Sequence, residues 1–436
     1  MNGVTKKLVN LVCVVLFFAI VTFTSASAGE KKSEGGWKNL FDGKTLGGWE
    51  VQGGFAKYRV ENGEIVGTSV EGSPNTFLCT KKQYGDFFLE FEVKCDPQLN
   101  SGVQVRSHVY KKDTTLEMLR RGQKRKVVRK AGTVYGYQVE IASERTGSSG
   151  GIYDEARKGV WLYDVKGDAK ASKAFKDNQW NKYRVACIGD SIKTWVNGVP
   201  CADLRNPIDQ VGIIGLQVHS VRSEKPLEVR WRNIRIKDFD RHVWKPLFDG
   251  KTLKGWHTLP GGKWEVSDGV IVGTSASSES RHGLLVSDES FGDFTIRLKF
   301  KALKGNSGFY FRCDEVGGGV GVHGFQAEID ANNDVGGLYE TGGRAWVVQP
   351  SAVDVATWFK PQEWNEMAVS AHGRRIVVHV NGRKTAELKN DKGRLKGPLG
   401  LQLHGGQDMH VMFKDIEMLV PKKKSENLAE AVIYIN

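Results

Sequence analysis

A decapeptide that occurs twice constrains this chain more than any other feature. Leu40-Phe-Asp-Gly-Lys-Thr-Leu-Gly-Gly-Trp49 returns as Leu247-Phe-Asp-Gly-Lys-Thr-Leu-Lys-Gly-Trp256, with nine identities in ten. The correspondence continues in order. Gly63-Glu-Ile-Val-Gly-Thr-Ser69 matches Gly269-Val-Ile-Val-Gly-Thr-Ser275, Tyr84-Gly-Asp-Phe87 matches Phe291-Gly-Asp-Phe294, and Asn100-Ser-Gly102 matches Asn306-Ser-Gly308. Gln179-Trp-Asn181 pairs with Glu363-Trp-Asn365, and Gly215-Leu-Gln-Val-His219 with Gly400-Leu-Gln-Leu-His404. The offset drops from 207 at the opening motif to 188 at Gln138 and Gln326, so repeat 1 carries an insertion, 109–132. Solenoid repeats are about 20–50 residues long, and this period is far longer, so the chain is a duplicated domain. Repeat 1 spans 37–238, repeat 2 spans 244–420, and 421–436 is a tail.

Each repeat reads as short alternating strands separated by Gly, Asn and Asp turns, with Asn197-Gly198 and Asn381-Gly382 as hairpin turns between apolar runs. Helical periodicity is scarce, and 114–130 is the one stretch that reads as a helix. The expected fold is all-β, two antiparallel sandwich or jelly-roll domains in tandem. Each repeat is long enough to bury its own core.

Residues 1–28 read as a secretory signal peptide, with Lys6 and Lys7 before the apolar run Leu8 to Phe23 and Ala26-Ser27-Ala28 at its end. An uncleaved N-terminal anchor is the alternative. That run is 16 residues long with Asn10 inside it, and a polytopic membrane protein is excluded. The mature protein is expected to be periplasmic or secreted, without stable membrane insertion. Loss of Lys6 and Lys7 lowers the net charge from +13 to +11, and most of that excess lies between Lys111 and Lys130, where nine Lys and Arg face two acids. The segment has no Trp, Tyr or Phe, the side chains that single-stranded nucleic acids stack on, so no nucleic-acid partner is expected and the segment reads as a solvated insertion. An acidic polysaccharide or anionic surface is the alternative partner. Cys79, Cys95, Cys187, Cys201 and Cys313 remain, an odd number. Cys187 and Cys201 fall two strands apart, about 9–10 Å, too far for a disulfide. No zinc-type Cys/His spacing occurs.

Strand alternation sorts the remaining polar residues. Phe309 and Phe311 face one side, leaving Tyr310 and Arg312 on the other; Ala327 and Ile329 face in, leaving Gln326, Glu328 and Asp330 out. Leu401 and Leu403 face in, leaving Gln402 and His404 out. Repeat 1 gives Gln104 and Arg106, Gln138 and Glu140, and Gln217 and His219. A solvated sheet face alternates in the same way, but it tends to carry Lys, Thr and Ser. Here Arg, Gln, Glu and His recur at matching positions, joined by Asn333-Asp-Val-Gly-Gly-Leu-Tyr-Glu340 and Arg344-Ala-Trp346. Planar hydrogen-bonding groups, carboxylates, a cation and aromatics are what a sugar platform requires.

These ordered motifs resemble the 3-keto-disaccharide hydrolase family over both repeats, and the resemblance implies a concanavalin A-like jelly roll. It also implies cleavage of a glycoside already oxidised to a ketone at carbon 3. That ketone acidifies the hydrogen on carbon 2, so the leaving group on carbon 1 can depart by elimination, with water added afterwards. Such a site needs a base near carbon 2, a donor, cation or metal at the enolate oxygen, and an acid for the leaving group. Glu328, Asp330 and His404 are the expected catalytic residues, as base, acid or metal ligands, with Arg312 as an enolate or hydroxyl clamp. Tyr310, Gln326, Tyr339, Glu340, Arg344 and Gln402 are expected to bind substrate, as are Arg106, Gln138, Glu140, Tyr153 and His219 of repeat 1. No cofactor is required by the sequence, though a divalent metal is compatible with this chemistry. Repeat 2 is the expected catalytic copy, because Gln326-Ala-Glu-Ile-Asp330 aligns with Gln138-Val-Glu-Ile-Ala142, which lacks the second carboxylate. A laminarinase-like retaining hydrolase is a weaker alternative, since Asn333 stands where the second Glu of Glu-x-Asp-x-x-Glu belongs. A noncatalytic, lectin-like carbohydrate-binding protein is the other alternative.

Overall fold

Asp42 and Asp249 explain why the decapeptide is kept twice. Each carboxylate accepts two backbone N–H groups at 2.7 Å, from Lys44 and Thr45 or from Lys251 and Thr252, and so closes a tight turn. The Trp that ends each motif donates its indole N–H back to the carbonyl of the opening Leu, at 2.9 Å for Trp49 and 3.1 Å for Trp256. The Trp-Asn motifs are structural as well. Asn181 and Asn365 each accept a hydrogen bond from the Asn of the Asn-Gly turn, Asn197 at 2.9 Å and Asn381 at 2.8 Å. Both residues of these turns have positive φ, 50° and 81° at Asn197-Gly198 and 49° and 70° at Asn381-Gly382, as a two-residue hairpin with the sheet's twist demands.

The computed structural model describes residues 36–120, 123–331 and 333–422, so the signal peptide and all but the first two residues of the tail lie outside the described residues. Each repeat is a sandwich of a seven-stranded front sheet and an eight-stranded back sheet. The front sheet of repeat 1 runs, in spatial order, Trp161–Tyr163, Ile152–Glu155, Val134–Ile141, Ser101–Val109, Ile213–Val218, Thr76–Thr80 and Trp49–Gly53. Repeat 2 reproduces that order with Ala345–Val348, Leu338–Thr341, Val322–Asp330, Asn306–Glu315, Gly397–Leu403, Gly283–Phe291 and Trp256–Leu259. Alternate residues of these strands fill the space between the sheets. Val103, Val105, Val139 and Ile141 lie in one core, and Phe309, Phe311, Ala327, Ile329, Leu401 and Leu403 in a second, separate one. The fold is the expected all-β tandem of jelly-roll sandwiches.

Two local expectations need correction. Residues 114–130 form no helix but a hairpin, Thr114–Arg120 against Gln123–Arg129. Thr114, Leu116 and Met118 alternate on one face opposite Arg129, Val127 and Arg125, and the β-branched Thr and Val residues favour that period of two. Met118 is buried, so the inserted segment is anchored at one point. A helix does occur at Ala352–Trp358, where Ser351 caps the N-terminus by accepting from Asp354 N–H at 3.1 Å.

The repeats touch through their back sheets. Asp190 is buried, takes Arg205 at 2.7 Å, and accepts from Ser370 Oγ of repeat 2 at 2.5 Å. Arg375 of repeat 2 reaches Asp203 at 2.9 Å, and Lys158 donates to the carbonyls of Asn381 and Gly382. The five cysteines among the described residues are buried and free, and strand Ser191–Val196 separates Cys187 from Cys201. Among the described residues no helix is long and apolar enough to cross a membrane.

Candidate functional site

The Asn-Ser-Gly motif builds the centre of each front face, one residue at a time. In repeat 2, Ser307 Oγ donates to the carbonyl of Gln402 at 2.7 Å and ties two adjacent strands. Gly308 leaves room for Gln326 to lie flat across it, since a Cβ there would collide with the Gln326 amide. Asn306 Nδ2 donates to Glu328 and, at 3.2 Å, to Asp330. Gln326 Nε2 donates to Glu328 at 2.9 Å and to Gln402 at 3.0 Å, and Gln402 donates to the Tyr310 hydroxyl at 3.3 Å. Tyr310, Gln326, Glu328 and Gln402 are all buried, so each polar group here has to be partnered by protein or ligand.

Burial pushes the Glu328 carboxyl up to about 8, and the nearby Asp330 and Asp334 add to the rise against the lowering by Asn306. It therefore holds its proton at neutral pH. His404 is joined to this cluster through Gln407, which accepts the Asn306 backbone N–H at 3.0 Å and lies 3.3 Å from His404 Nδ1. His404 Nδ1 lies 2.7 Å from the Gly405 carbonyl, an acceptor, and 3.3 Å from the Gln407 Nε2 donor; the shorter contact favours a proton on Nδ1, and among the described residues Nε2 has no hydrogen-bond partner. The ring of His282 packs 4.3 Å away, and burial, with His404 beside it, lowers His282 to about 4. Its Nδ1 accepts from Gly405 N–H at 2.7 Å. The face thus offers a protonated carboxyl at Glu328, a second carboxyl at Asp330 and an imidazole whose Nε2 has no partner among the described residues.

Repeat 1 repeats the frame with different fittings. Asn100 and Gln138 donate to Glu140 at 2.6 and 3.0 Å, and burial pushes the Glu140 carboxyl up to about 7. His219 Nδ1 likewise meets a backbone carbonyl, that of Ser220, at 2.8 Å. Repeat 1 has Ala142 where repeat 2 has Asp330, but it carries an acid of its own elsewhere on this face. Glu155, which stands opposite Gly136 where repeat 2 has Thr341 opposite Gly324, faces the same side as Gln138 and accepts from Asn75 Nδ2 at 3.1 Å. Asn75 adjoins a strand four places away in the sheet, about 19 Å if the sheet were flat. The sheet therefore curls, and its front face is a cleft.

Other expected residues are displaced. Arg312 and Arg106 both have positive φ, 48° and 47°, in bulges that shift their side chains off the front face. Arg312 donates to the Gly292, Gly373 and Arg394 carbonyls and to Asp293, and Arg106 to the Gly85 and Gly189 carbonyls and to Asp86 at 2.9 Å. They clamp the Gly-Asp-Phe turns to back-sheet hairpins, so the expected enolate clamp is corrected to a structural one. Glu340 stands opposite the core residue Phe325, away from Gln326, and is engaged by Arg344, which also pairs with Asp391 at 2.8 Å. Tyr339 and Tyr153 do lie on the front face, opposite Gln326 and Gln138, each edge-to-face with a Trp at 5.3 Å. Sequence reading missed Asn100 and Asn306, although the twice-kept Asn-Ser-Gly was their signal; it missed Glu155 because the aligned residue is Thr.

Among the described residues no three His, Cys, Asp or Glu side chains gather as metal ligands, and both Glu328 oxygens face amide N–H donors, which compete with a cation.

No curated protein matched the chain. A putative glycosyl hydrolase from Parabacteroides distasonis is similar at 23% identity, covering 47% of this chain and 94% of its own, with a TM-score of 0.32. The carbohydrate binding module CBM66 from Bacillus subtilis is similar at 19% identity, 37% and 93% coverage and a TM-score of 0.31. A Bacillus licheniformis β-glucanase is similar at 12% identity, 42% and 98% coverage and a TM-score of 0.30. The 3-keto-alpha-glucoside-1,2-lyase-like domain family matches residues 36–237 and again 243–419, so this carbohydrate-active chain belongs to that family, twice over.

Proposed function

We propose that repeat 2 cleaves 3-keto-glycosides, by elimination across carbons 1 and 2 followed by hydration, in a periplasmic or secreted protein. The observation that carries this reading is a buried Glu328 that holds its proton, linked through Asn306 and Gln407 to a His404 whose Nε2 has no partner among the described residues. His404 Nε2 takes the proton from carbon 2, and the electron pair of that bond passes into the ketone as an enolate. The enolate collapses to restore the ketone; carbon 1 and carbon 2 become doubly bonded as the bond from carbon 1 to the glycosidic oxygen breaks. That oxygen takes the Glu328 proton. Water then adds across the double bond, with its oxygen on carbon 1 and a proton on carbon 2. Asp330, held with Glu328 by Asn306, orients the hydroxyl next to the reacting carbons. Tyr339 and Trp346 supply an apolar wall for the ring.

The test is incubation of the purified chain with 3-keto-trehalose and with unoxidised trehalose, each with and without a chelator. Release of monosaccharide from the keto sugar alone, unaffected by chelator, is expected. Binding of both sugars without release would favour the lectin-like alternative.

A further inference from the structure

One buried side chain of repeat 1 is left without a partner. Gln217 is fully buried, and among the described residues neither its amide oxygen nor its nitrogen has a hydrogen-bond partner. Its counterpart Gln402 has both, from Gln326 and to Tyr310. The difference traces to one exchange. Gln104 stands opposite Gly215 where Tyr310 stands opposite Gly400, and it turns away to donate to Gln138 at 2.8 Å and accept from Ser107 at 2.7 Å. A second exchange accompanies it. In repeat 2 the Tyr310 hydroxyl lies 2.7 Å from Thr341 Oγ1 and plugs that end of the face, whereas repeat 1 has no phenol there and carries Glu155 in place of the threonine.

We propose that the cleft of repeat 1 is a second saccharide site, separate from that of repeat 2, in which the Gln217 amide reads a sugar hydroxyl and Glu140 and Glu155 flank the ring. The chemistry selects the class of ligand. An amide with both ends unmet needs a partner that donates and accepts, which a hydroxyl does; a cation would satisfy only its oxygen and an anion only its nitrogen. Both carboxyls are fixed by side-chain amides, Glu140 by Asn100 and Gln138 and Glu155 by Asn75, so their remaining lone pairs are oriented for hydroxyl hydrogens. Tyr153 and Trp161 give the site an apolar wall like that of repeat 2. The missing phenol gives this cleft a different shape, and so a different preference, from its copy. The inference rests on the carbohydrate reading of the family and not on turnover by repeat 2.

The test counts binding sites on the full chain by calorimetric titration with trehalose and 3-keto-trehalose, in a His404→Ala background that removes the base and so blocks turnover. Two equivalents per chain are expected. Gln104→Tyr, which refills the gap and gives Gln217 its partner, should reduce this to one. Gln217→Leu should weaken the same equivalent at least tenfold, and both variants should melt no lower than their parent. A single equivalent in the parent, or two equivalents that neither substitution alters, would overturn the proposal and leave Gln217 with trapped water only. Failure of repeat 2 to turn over the keto sugar would show in the activity assay and leave this count readable.

Discussion

Raising the pH from about 5.5 to about 8.5 should cost repeat 2 roughly 3 kcal/mol of stability, and Glu328→Gln should remove most of that loss. Burial holds the Glu328 carboxyl near 8 in the folded state, against an ordinary value of 4.5. Between those values the folded chain keeps a proton that the unfolded chain releases, so stability is highest below the lower value, declines through the interval and has lost this contribution above the upper one. Each pH unit inside the interval is about 1.4 kcal/mol, and the part of the interval crossed yields the figure above. The substitution carries its own cost. A Gln at 328 still accepts from Asn306, but it turns an NH2 toward Gln326 Nε2, and that lost hydrogen bond costs about 1–3 kcal/mol at every pH. Denaturant titrations of both proteins, followed by tryptophan fluorescence, should therefore show a nearly flat curve for the variant, about 1–3 kcal/mol below the parent at about pH 5.5 and level with it or up to about 2 kcal/mol above it at about pH 8.5. Parallel curves would refute the reasoning, because they would mean that the carboxyl titrates alike in both states.

Turnover of the keto sugar, measured as kcat/KM, should fall as pH rises through about 8, because the Glu328 proton needed by the leaving group is then lost. Arg106→Met should destabilise repeat 1 by about 1–3 kcal/mol in a thermal melt, since it takes the guanidinium from the buried Asp86 carboxylate and leaves it to His242 Nδ1 and the Gly189 N–H. Asp190→Ala leaves Arg205 and Ser370 without their shared partner, and calorimetry should then resolve two melting transitions more widely spaced than in the parent. Proteases that cut after Lys or Arg should nick the hairpin between Lys111 and Lys130 first, and deleting it should cost only the burial of Met118, about 1.5–3 kcal/mol.

The parts of this fold that were legible in the sequence are those governed by alternation and by turn chemistry. Phe309, Phe311, Ala327, Ile329, Leu401 and Leu403 fall in the core as their period of two requires, and both Asn-Gly turns adopt the left-handed pair that closes a hairpin. Alternation failed at Arg106 and Arg312 because a bulge adds a residue and breaks the parity, and only the backbone reveals a bulge. Glu340 was included for its residue type and not by alternation, which would have excluded it: its strand contributes Tyr339 to the front, so the next residue turns inward toward Phe325 and Arg344. Glu155 stayed hidden because comparison of the repeats looks for sameness, and this acid sits where its copy has Thr341. The basic insertion was read by its charge, while its strand register rests on Leu116, Met118 and Val127.

The central claim is that the bond breaks by elimination through carbon 2, and deuterium tests it most directly. The chain is given 3-keto-trehalose in D2O, and the released keto sugar is examined by mass spectrometry and proton NMR at early times, against an enzyme-free control for spontaneous exchange. Elimination followed by hydration predicts one solvent deuteron at carbon 2 in each released keto sugar, with His404→Ala abolishing release. Released sugar that retains its original hydrogen at carbon 2 would contradict the account, and would mean that the glycosidic bond is hydrolysed without passing through the enolate.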